Sequence, residues 1–212
     1  IMNIAAALQL RLEEVVLAQL KILKRKKRSD FLCISGGVGL NCSLNGKIRA
    51  SNLFKEIFVQ PASGDAGVAY GACLVSTKKK LKKLYPVKRN NFYLGSRESK
   101  NKIKETLIKR KIKFIDYKEK IFDITADYLQ KGKIVGWYQG ASEFGPRALG
   151  NRSILCKPFP KKMKDHLNIN VKFREEFRPF APAVLEENFK EYFDIKQKSP
   201  HMLIACKVKK NK

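Results

Sequence analysis

Four segments of the chain carry side chains that can do chemistry. The richest is Glu143-Phe144-Gly145-Pro146-Arg147-Ala148-Leu149-Gly150-Asn151-Arg152-Ser153. Arg147, Asn151, Arg152 and Ser153 fall within seven residues. A guanidinium is a planar fork that matches phosphate or carboxylate oxygens, so arginines with no acidic partner suit an anion clamp. An arginine-rich surface loop is the plain alternative. The second segment is Lys172-Phe173-Arg174-Glu175-Glu176-Phe177-Arg178. On extended backbone Lys172, Arg174 and Arg178 point to one face, while Phe173 and Phe177 point the other way, into a core. The spacing predicts a stripe of three cations anchored by aromatics. The alternative is an ion-pair network in which Glu175 and Glu176 neutralise it.

The other two segments are glycine-flanked turns. Ser35-Gly36-Gly37-Val38-Gly39-Leu40-Asn41 follows the apolar run Phe31 to Ser35. Its glycines let the backbone approach a ligand, and N–H groups beyond them can donate to phosphate oxygens. It is neither the dinucleotide fingerprint nor a Walker lysine loop, and a bare tight turn is the alternative. In Gly64-Asp65-Ala66-Gly67 the Asp65 carboxylate either caps a helix or ligates a hard cation beside phosphates. If the two turns follow neighbouring parallel strands, their tips converge at the carboxyl edge of one sheet, where such sheets bind ligands.

The elements that position these segments are legible as an α/β alternation. Residues 3–23 repeat apolar side chains every three or four positions, a helix. Residues 31–35 read as a strand buried on both faces, 46–54 as a helix and 57–60 as a second strand. A helix over 66–81 carries Gly67, Ala69, Gly71 and Ala72, small enough to pack tightly. A polar stretch within 78–99, with Pro86 and Gly95, suits a linker. Beyond it the pattern predicts helices over 100–111, 121–130, 161–168 and 186–193. Strands are predicted over 112–117, 133–138, 152–157, 181–185 and 202–208.

With 212 residues and 44% hydrophobic content the chain can bury a core, which excludes wholesale disorder. No apolar run approaches the roughly 20 residues of a membrane span, and no leader pattern opens the chain. A cytoplasmic protein is the default expectation. The net charge is +26, and seventeen basic residues face four acidic ones between Lys78 and Lys120. A solvated basic surface is the plain reading. A nucleic-acid-binding module is the alternative, and it would need those cations on one face with aromatics between them. Five cysteines, at 33, 42, 73, 156 and 206, show no metal or redox spacing and read as buried thiols in a reducing compartment. Both ends look cut from something longer.

The segments SGGVGLN, QPASGDAGVAYGA, GWYQGASEFGPRALGNRSIL and VKFREEFRPFAPAVL, in this order, resemble the O-carbamoyltransferase family of nodulation-protein and cephalosporin type. The resemblance runs from Asn3 to about Ala205 and is weakest over 78–120. It implies an α/β chain in two parts. Residues 1–85 would be the second half of an actin-like (ASKHA-type) domain, 86–99 a linker, and 100–212 a threonylcarbamoyl-adenylate-synthase-like (YrdC-like) domain. It also implies a reaction: carbamoyl phosphate and ATP, with Mg2+, give carbamoyl-adenylate, and the carbamoyl group passes to an acceptor hydroxyl. An iron-type divalent metal would assist.

Carried over by position, Gly36, Gly37 and Asn41 would embrace the nucleotide, and Asp65 would be the metal's aspartate ligand. Lys172 and Arg174 are similar to the Lys-x-Arg phosphate grip of the adenylate synthase. Arg147, Asn151, Arg152, Ser153 and Arg178 would complete the pocket by their chemistry. Lys172, Arg174 and Arg178 are the expected catalytic set. The two reactants carry about six negative charges, so Arg147, Arg152, Lys172, Arg174 and Arg178 are expected to gather in one cradle. The family's His-x-x-x-His pair is missing; only His166 and His201 are present, so the metal site would have at most one protein ligand here. The reading is a carbamoyltransferase truncated at its N-terminus. Its partners would be small molecules, not a membrane or nucleic acid, and a homodimer stays open. A tRNA-modifying adenylate-forming relative and a non-catalytic remnant are the remaining alternatives.

Overall fold

The computed structural model describes residues 2–82, 92–160 and 162–209. Part of the expected linker, residues 86–91, lies outside the described residues. The chain forms two compact units. The first comprises Ile1–Asn90, Gly145–Arg147 and Val184–Lys212; the second comprises Asn91–Phe144 and Ala148–Ala183.

The first unit is a β-α-β arrangement with a long helix beside it. Helix α1 runs Met2–Lys27 and lays Leu12, Val16, Leu17 and Leu20 against the core. Strand β1 (Phe31–Ile34) pairs in parallel with β2 (Glu56–Val59), Phe31 opposite Glu56 and Ile34 opposite Val59. The crossover between them is helix α2 (Cys42–Ala50). Asn41 starts α2 as its N-cap, accepting from the Leu44 N–H at 3.0 Å, and satisfies one of the helix's free donors. Leu44 and Ile48, one turn apart, are both 2% exposed and meet Leu32, Ile57 and Val59 of the sheet. Helix α3 (Val68–Leu81) follows.

Residues from the chain's far end complete this core. Leu203 joins it, and the buried Asn45 amide donates to Gly39 O and Leu203 O, both at 2.8 Å. The Gln197 side chain acts as a surrogate strand on β2: its Oε1 accepts from Ile57 N and its Nε2 donates to Ile57 O. Ala205 N donates to Cys42 O at 2.9 Å, which presses the 203–205 backbone onto α2 at Gly46. A Cβ at Gly46 would lie far inside contact distance of Ala205 O. Gly46→Ala is therefore expected to cost about 1–3 kcal/mol of stability, read by urea unfolding. An unchanged midpoint would show that this contact yields freely.

The second unit holds α4 (Lys100–Lys109), α5 (Ile121–Gln130) and the antiparallel pair β3 (Val135–Tyr138) and β4 (Arg152–Leu155). Val135 faces Leu155 and Tyr138 faces Arg152. Helix α5 packs on β3, with the Phe122 and Trp137 rings 6.0 Å apart. Helix α6 (Lys162–His166) runs into a wider helical turn, Leu167–Val171. In the first unit's returning segment, a short α7 (Phe189–Tyr192) leads into β5 (Phe193–Asp194), which pairs with β6 (Lys207–Val208).

Several expectations are corrected. β1 is not buried on both faces: Phe31 is 66% exposed, and buried and open positions alternate. α3 buries none of its residues and Gly71 faces open space, so of the small residues expected to pack tightly only Gly67, just before the helix, is shown in close contact, against Ala62 O. No strand forms over 112–117 or 181–185, and the predicted 202–208 strand shrinks to Lys207–Val208. Cys33, Cys73 and Cys206 are exposed free thiols rather than core residues. Among the described residues no helix is long and apolar enough to cross a membrane.

Candidate functional site

In the first unit the two glycine-flanked turns meet, as neighbouring parallel strands require. Gly36 N donates to Ser63 O at 2.8 Å and ties the turn after β1 to the turn after β2. Gly36 has φ +99, and nothing lies within 4 Å of where a Cβ would stand at Gly36 or Gly37. The turn is thus open for close approach of a ligand. Asn41 is already engaged as the α2 cap and through its Nδ2, which donates to Gln9 Oε1 at 2.8 Å. Its side chain serves architecture, not an open nucleotide contact. Asp65 stands exposed at the start of the short turn Asp65–Gly67 and caps nothing.

Arg147 also lies in this unit. Its Nη2 donates to Leu40 O, 107 residues away in sequence, at 3.2 Å. Of the five cations expected in one cradle, Arg147 belongs to the first unit, with the glycine turns, and Arg152, Lys172, Arg174 and Arg178 belong to the second.

Within the second unit the rest of the arginine-rich motif is organised by Glu143. Its side chain is fully shielded, and its Oε1 accepts from Leu149 N (2.7 Å), Asn151 N (2.8 Å) and Arg152 N (3.2 Å). Its Oε2 pairs with Arg152 Nε at 2.8 Å. Burial pushes this carboxyl up. The Arg152 bond and the Leu149 and Asn151 N–H groups outweigh that and hold it down at about 2. Arg152 is thus not the unpartnered clamp its sequence context suggested, since its Nε and Nη2 both donate to Glu143. Asn151 Nδ2 donates to Ala141 O, and Ser153 Oγ accepts from Gly150 N. These three side chains build the loop.

The third assembly is the Lys172–Arg178 segment. It is not an extended strand: Phe173 takes a left-handed φ of 48 and the run turns on itself. Phe173 and Phe177 are 84% and 74% exposed, so they do not anchor a core. Instead the buried Asn168 organises the segment. Its Nδ2 donates to Glu176 O (3.1 Å) and Arg178 O (2.9 Å), while its Oδ1 accepts from Arg174 Nε (2.8 Å). The Arg174 guanidinium lies over the Phe180 ring at 4.8 Å. Arg178 pairs with Glu175 at 2.8 Å, both about half exposed, as the neutralising alternative foresaw. Ile169 and the run Phe173–Arg178 line an open depression of about 950 Å³. Arg174 and Arg178 are on its wall; Lys172 is exposed beside it, and Arg147, Asn151, Arg152 and Ser153 are not part of its lining.

Sequence reasoning missed Glu143, Asn168 and Ser63 as positioning groups. Glu143 sits in the quoted motif and had that signal; Asn168 had none, because two of its three side-chain partners are backbone carbonyls. The metal expected at Asp65 finds no support among the residues present. No three His, Cys, Asp or Glu side chains come together among the described residues, so Asp65 does not by itself make that site.

Two family models match the chain: Carbamoyltransferase N-terminus over residues 2–74 and Carbamoyltransferase C-terminus over 126–212. An uncharacterized protein of Synechocystis sp. is 41% identical over 215 residues, covering 98% of this chain and 35% of the relative. Nodulation protein NolO of Bradyrhizobium diazoefficiens is 40% identical over 195 residues, covering 91% of this chain and 36% of the relative. Nodulation protein NolNO of Sinorhizobium fredii is 39% identical over 215 residues, covering 99% and 32%. The chain spans about a third of the length of these curated relatives. With both family patterns present in order, and identity near 40% across almost its whole length, the chain belongs to the carbamoyltransferase family of enzymes.

Proposed function

We propose that this chain is a portion of an ATP-dependent O-carbamoyltransferase and carries its adenylate-forming part. The observation that carries the reading is the open depression walled by Arg174 and Arg178 in a chain of this family. Water first cleaves carbamoyl phosphate to carbamate and phosphate. A carbamate oxygen then attacks the α-phosphorus of ATP, and pyrophosphate leaves. An acceptor hydroxyl, on a small molecule or a sugar, attacks the carbonyl carbon of the carbamoyl-adenylate, and AMP leaves. On this reading the first unit is the actin-like part and the second the adenylate-synthase-like part, and the reaction runs in the cytoplasm, where ATP is abundant.

Arg174 is the principal cation. Asn168 fixes its Nε edge, which leaves the other edge of the fork for phosphate oxygens and for the charge that grows on departing pyrophosphate. Arg178 joins it at low cost, because its pair with Glu175 is half exposed and such pairs contribute only about 0–1 kcal/mol. The exposed Lys172 adds a third charge at the rim. Asp65 and a metal carry no step in this scheme.

Calorimetric titration of the chain with ATP and with carbamoyl phosphate is expected to show binding of both; a folded sample that binds neither sinks the reading. In the enzyme that carries this region, Arg174→Ala is expected to lower carbamoyl-phosphate-dependent pyrophosphate release by a hundredfold or more. Near-normal release would remove Arg174 from the chemistry.

A further inference from the structure

Between the two stretches that match the family models, residues 100–116 of the second unit present a surface that the proposed reaction does not use. Helix α4 buries none of its residues, and over 100–116 only Leu107 is even half-buried. The helix is nonetheless well terminated. Ser99 caps its start, the Oγ accepting from Lys102 N at 3.2 Å. At its end Lys111 takes a left-handed φ of 54, Lys111 N donates to Ile108 O and Ile112 N donates to Leu107 O, both at 2.9 Å. That pair of bonds reverses the chain and brings Ile112 back over the last helical turn.

Five large apolar side chains lie open on this short length. Ile103, Ile108, Ile112, Phe114 and Ile115 are 41% to 70% exposed. Single exposed apolar residues are ordinary, but a cluster of them marks a surface that meets something apolar. The charge around them is of one sign. Residues 100–115 hold six Lys and one Arg against one acid, Glu105, and Ile103 and Ile112 each sit between two lysines. Among the described residues none of these seven cations is in an ion pair. The occupant must therefore offer an apolar phase and negative charge together. An anionic phospholipid leaflet does: its acyl boundary takes Ile and Phe, and its headgroup phosphates meet ammonium groups on long flexible stems. A nucleic acid answers the charge alone. Isoleucine has no ring to stack on a base, and Phe114 is the only aromatic residue in 100–116.

We infer that residues 100–116 dock the second unit on an anionic phospholipid surface, with the exposed isoleucines and Phe114 entering the headgroup boundary and the lysines holding the phosphates. The attachment is peripheral, since among the described residues no helix is long and apolar enough to cross a membrane. Docking here is independent of the proposed reaction, so either can stand without the other.

The test is sedimentation of the whole chain with vesicles of phosphatidylcholine and phosphatidylglycerol, mixed at about 7:3, and with vesicles of phosphatidylcholine alone, at physiological salt. Binding to the mixed vesicles and little to the neutral ones is expected. Lys102→Gln, Lys104→Gln and Lys113→Gln together should weaken it by about a hundredfold. Ile108→Ser with Ile115→Ser should weaken it by about tenfold with no charge altered. All five positions are exposed, so both variants are expected to fold, and calorimetric titration with ATP should match that of the unaltered chain. Lys78→Gln, Lys79→Gln and Lys80→Gln, on the exposed last turn of α3, are the control and should leave binding nearly intact. A control that loses as much as the first variant shows adsorption by net charge alone and overturns the site. So does wild-type binding in the serine variant. Equal binding to neutral vesicles overturns the anionic surface. Tighter binding to polyuridylate RNA that the serine substitutions leave unchanged assigns the segment to nucleic acid instead. If the longer enzyme that carries this region does not bind the mixed vesicles, the segment is covered there and the docking role falls.

Discussion

Glu143→Ala is expected to destabilise the second unit by about 2–4 kcal/mol, chiefly because part-buried N–H groups lose their acceptor, the Arg152 side chain being 44% exposed. The substitution strands Arg152 and leaves the Leu149, Asn151 and Arg152 N–H groups without their acceptor. Trp137 is the chain's only tryptophan and lies on β3 within this unit, so urea unfolding followed by its fluorescence reads the effect directly. The same carboxylate sets a pH dependence. Its folded pKa, about 2, lies below the ordinary 4.5, so its stabilisation is fully present above about pH 4.5. It is lost as the pH falls through about 2, and the gap corresponds to about 3 kcal/mol. Glu143→Gln should flatten this part of the acid profile. A loss under about 1 kcal/mol in the alanine variant, or an acid profile that Glu143→Gln leaves unchanged, would show that the loop is held by other means.

This carboxylate also shows what sequence can and cannot reveal. The turns at Gly36 and Gly64 were legible because glycine spacing after an apolar run is a local signal, and β1 and β2 did prove to be parallel neighbours. Helix α5 was legible for the same reason: its period is local, and its bounds match the expected 121–130. A strand needs a partner, which local pattern does not supply. Residues 112–117 have the strand composition but join no ladder, and Ile115 is left 70% exposed. The alternation of cations and aromatics over 172–178 implied extended backbone. Three bonds from Asn168 bend that run instead, and they leave no trace in the residues they act upon. The most remote contacts were the least legible. Asn45 binds Leu203 across 158 residues and Arg147 reaches Leu40 across 107, both through backbone carbonyls that every residue has. The clamp reading of Arg152 failed for a simpler reason: its acidic partner was in the same motif, nine residues upstream.

Asn168→Ala carries the second large effect. Asn168 is fully buried, and its loss frees Glu176 O, Arg178 O and Arg174 Nε at once. Shielded groups left unsatisfied cost about 1–3 kcal/mol each, and the exposed segment can turn some of them to water. A net loss of about 2–3 kcal/mol is therefore expected in urea unfolding. The functional consequence should exceed the stability loss. Without Asn168 the Arg174 fork is no longer aimed, and the 173–178 wall loses the bonds that shape it. Affinity for ATP and for carbamoyl phosphate is expected to fall at least tenfold at temperatures where the variant remains folded. Asn168→Asp separates aim from shape. It keeps an acceptor for Arg174 Nε and adds a charge, yet it cannot donate to Glu176 O or Arg178 O. If aiming Arg174 is what matters, the aspartate variant binds better than the alanine variant; if wall shape matters, the two fall together. Wild-type affinity in Asn168→Ala would mean that Arg174 finds its ligand unaided, and the depression would lose its claim to be a preorganised site.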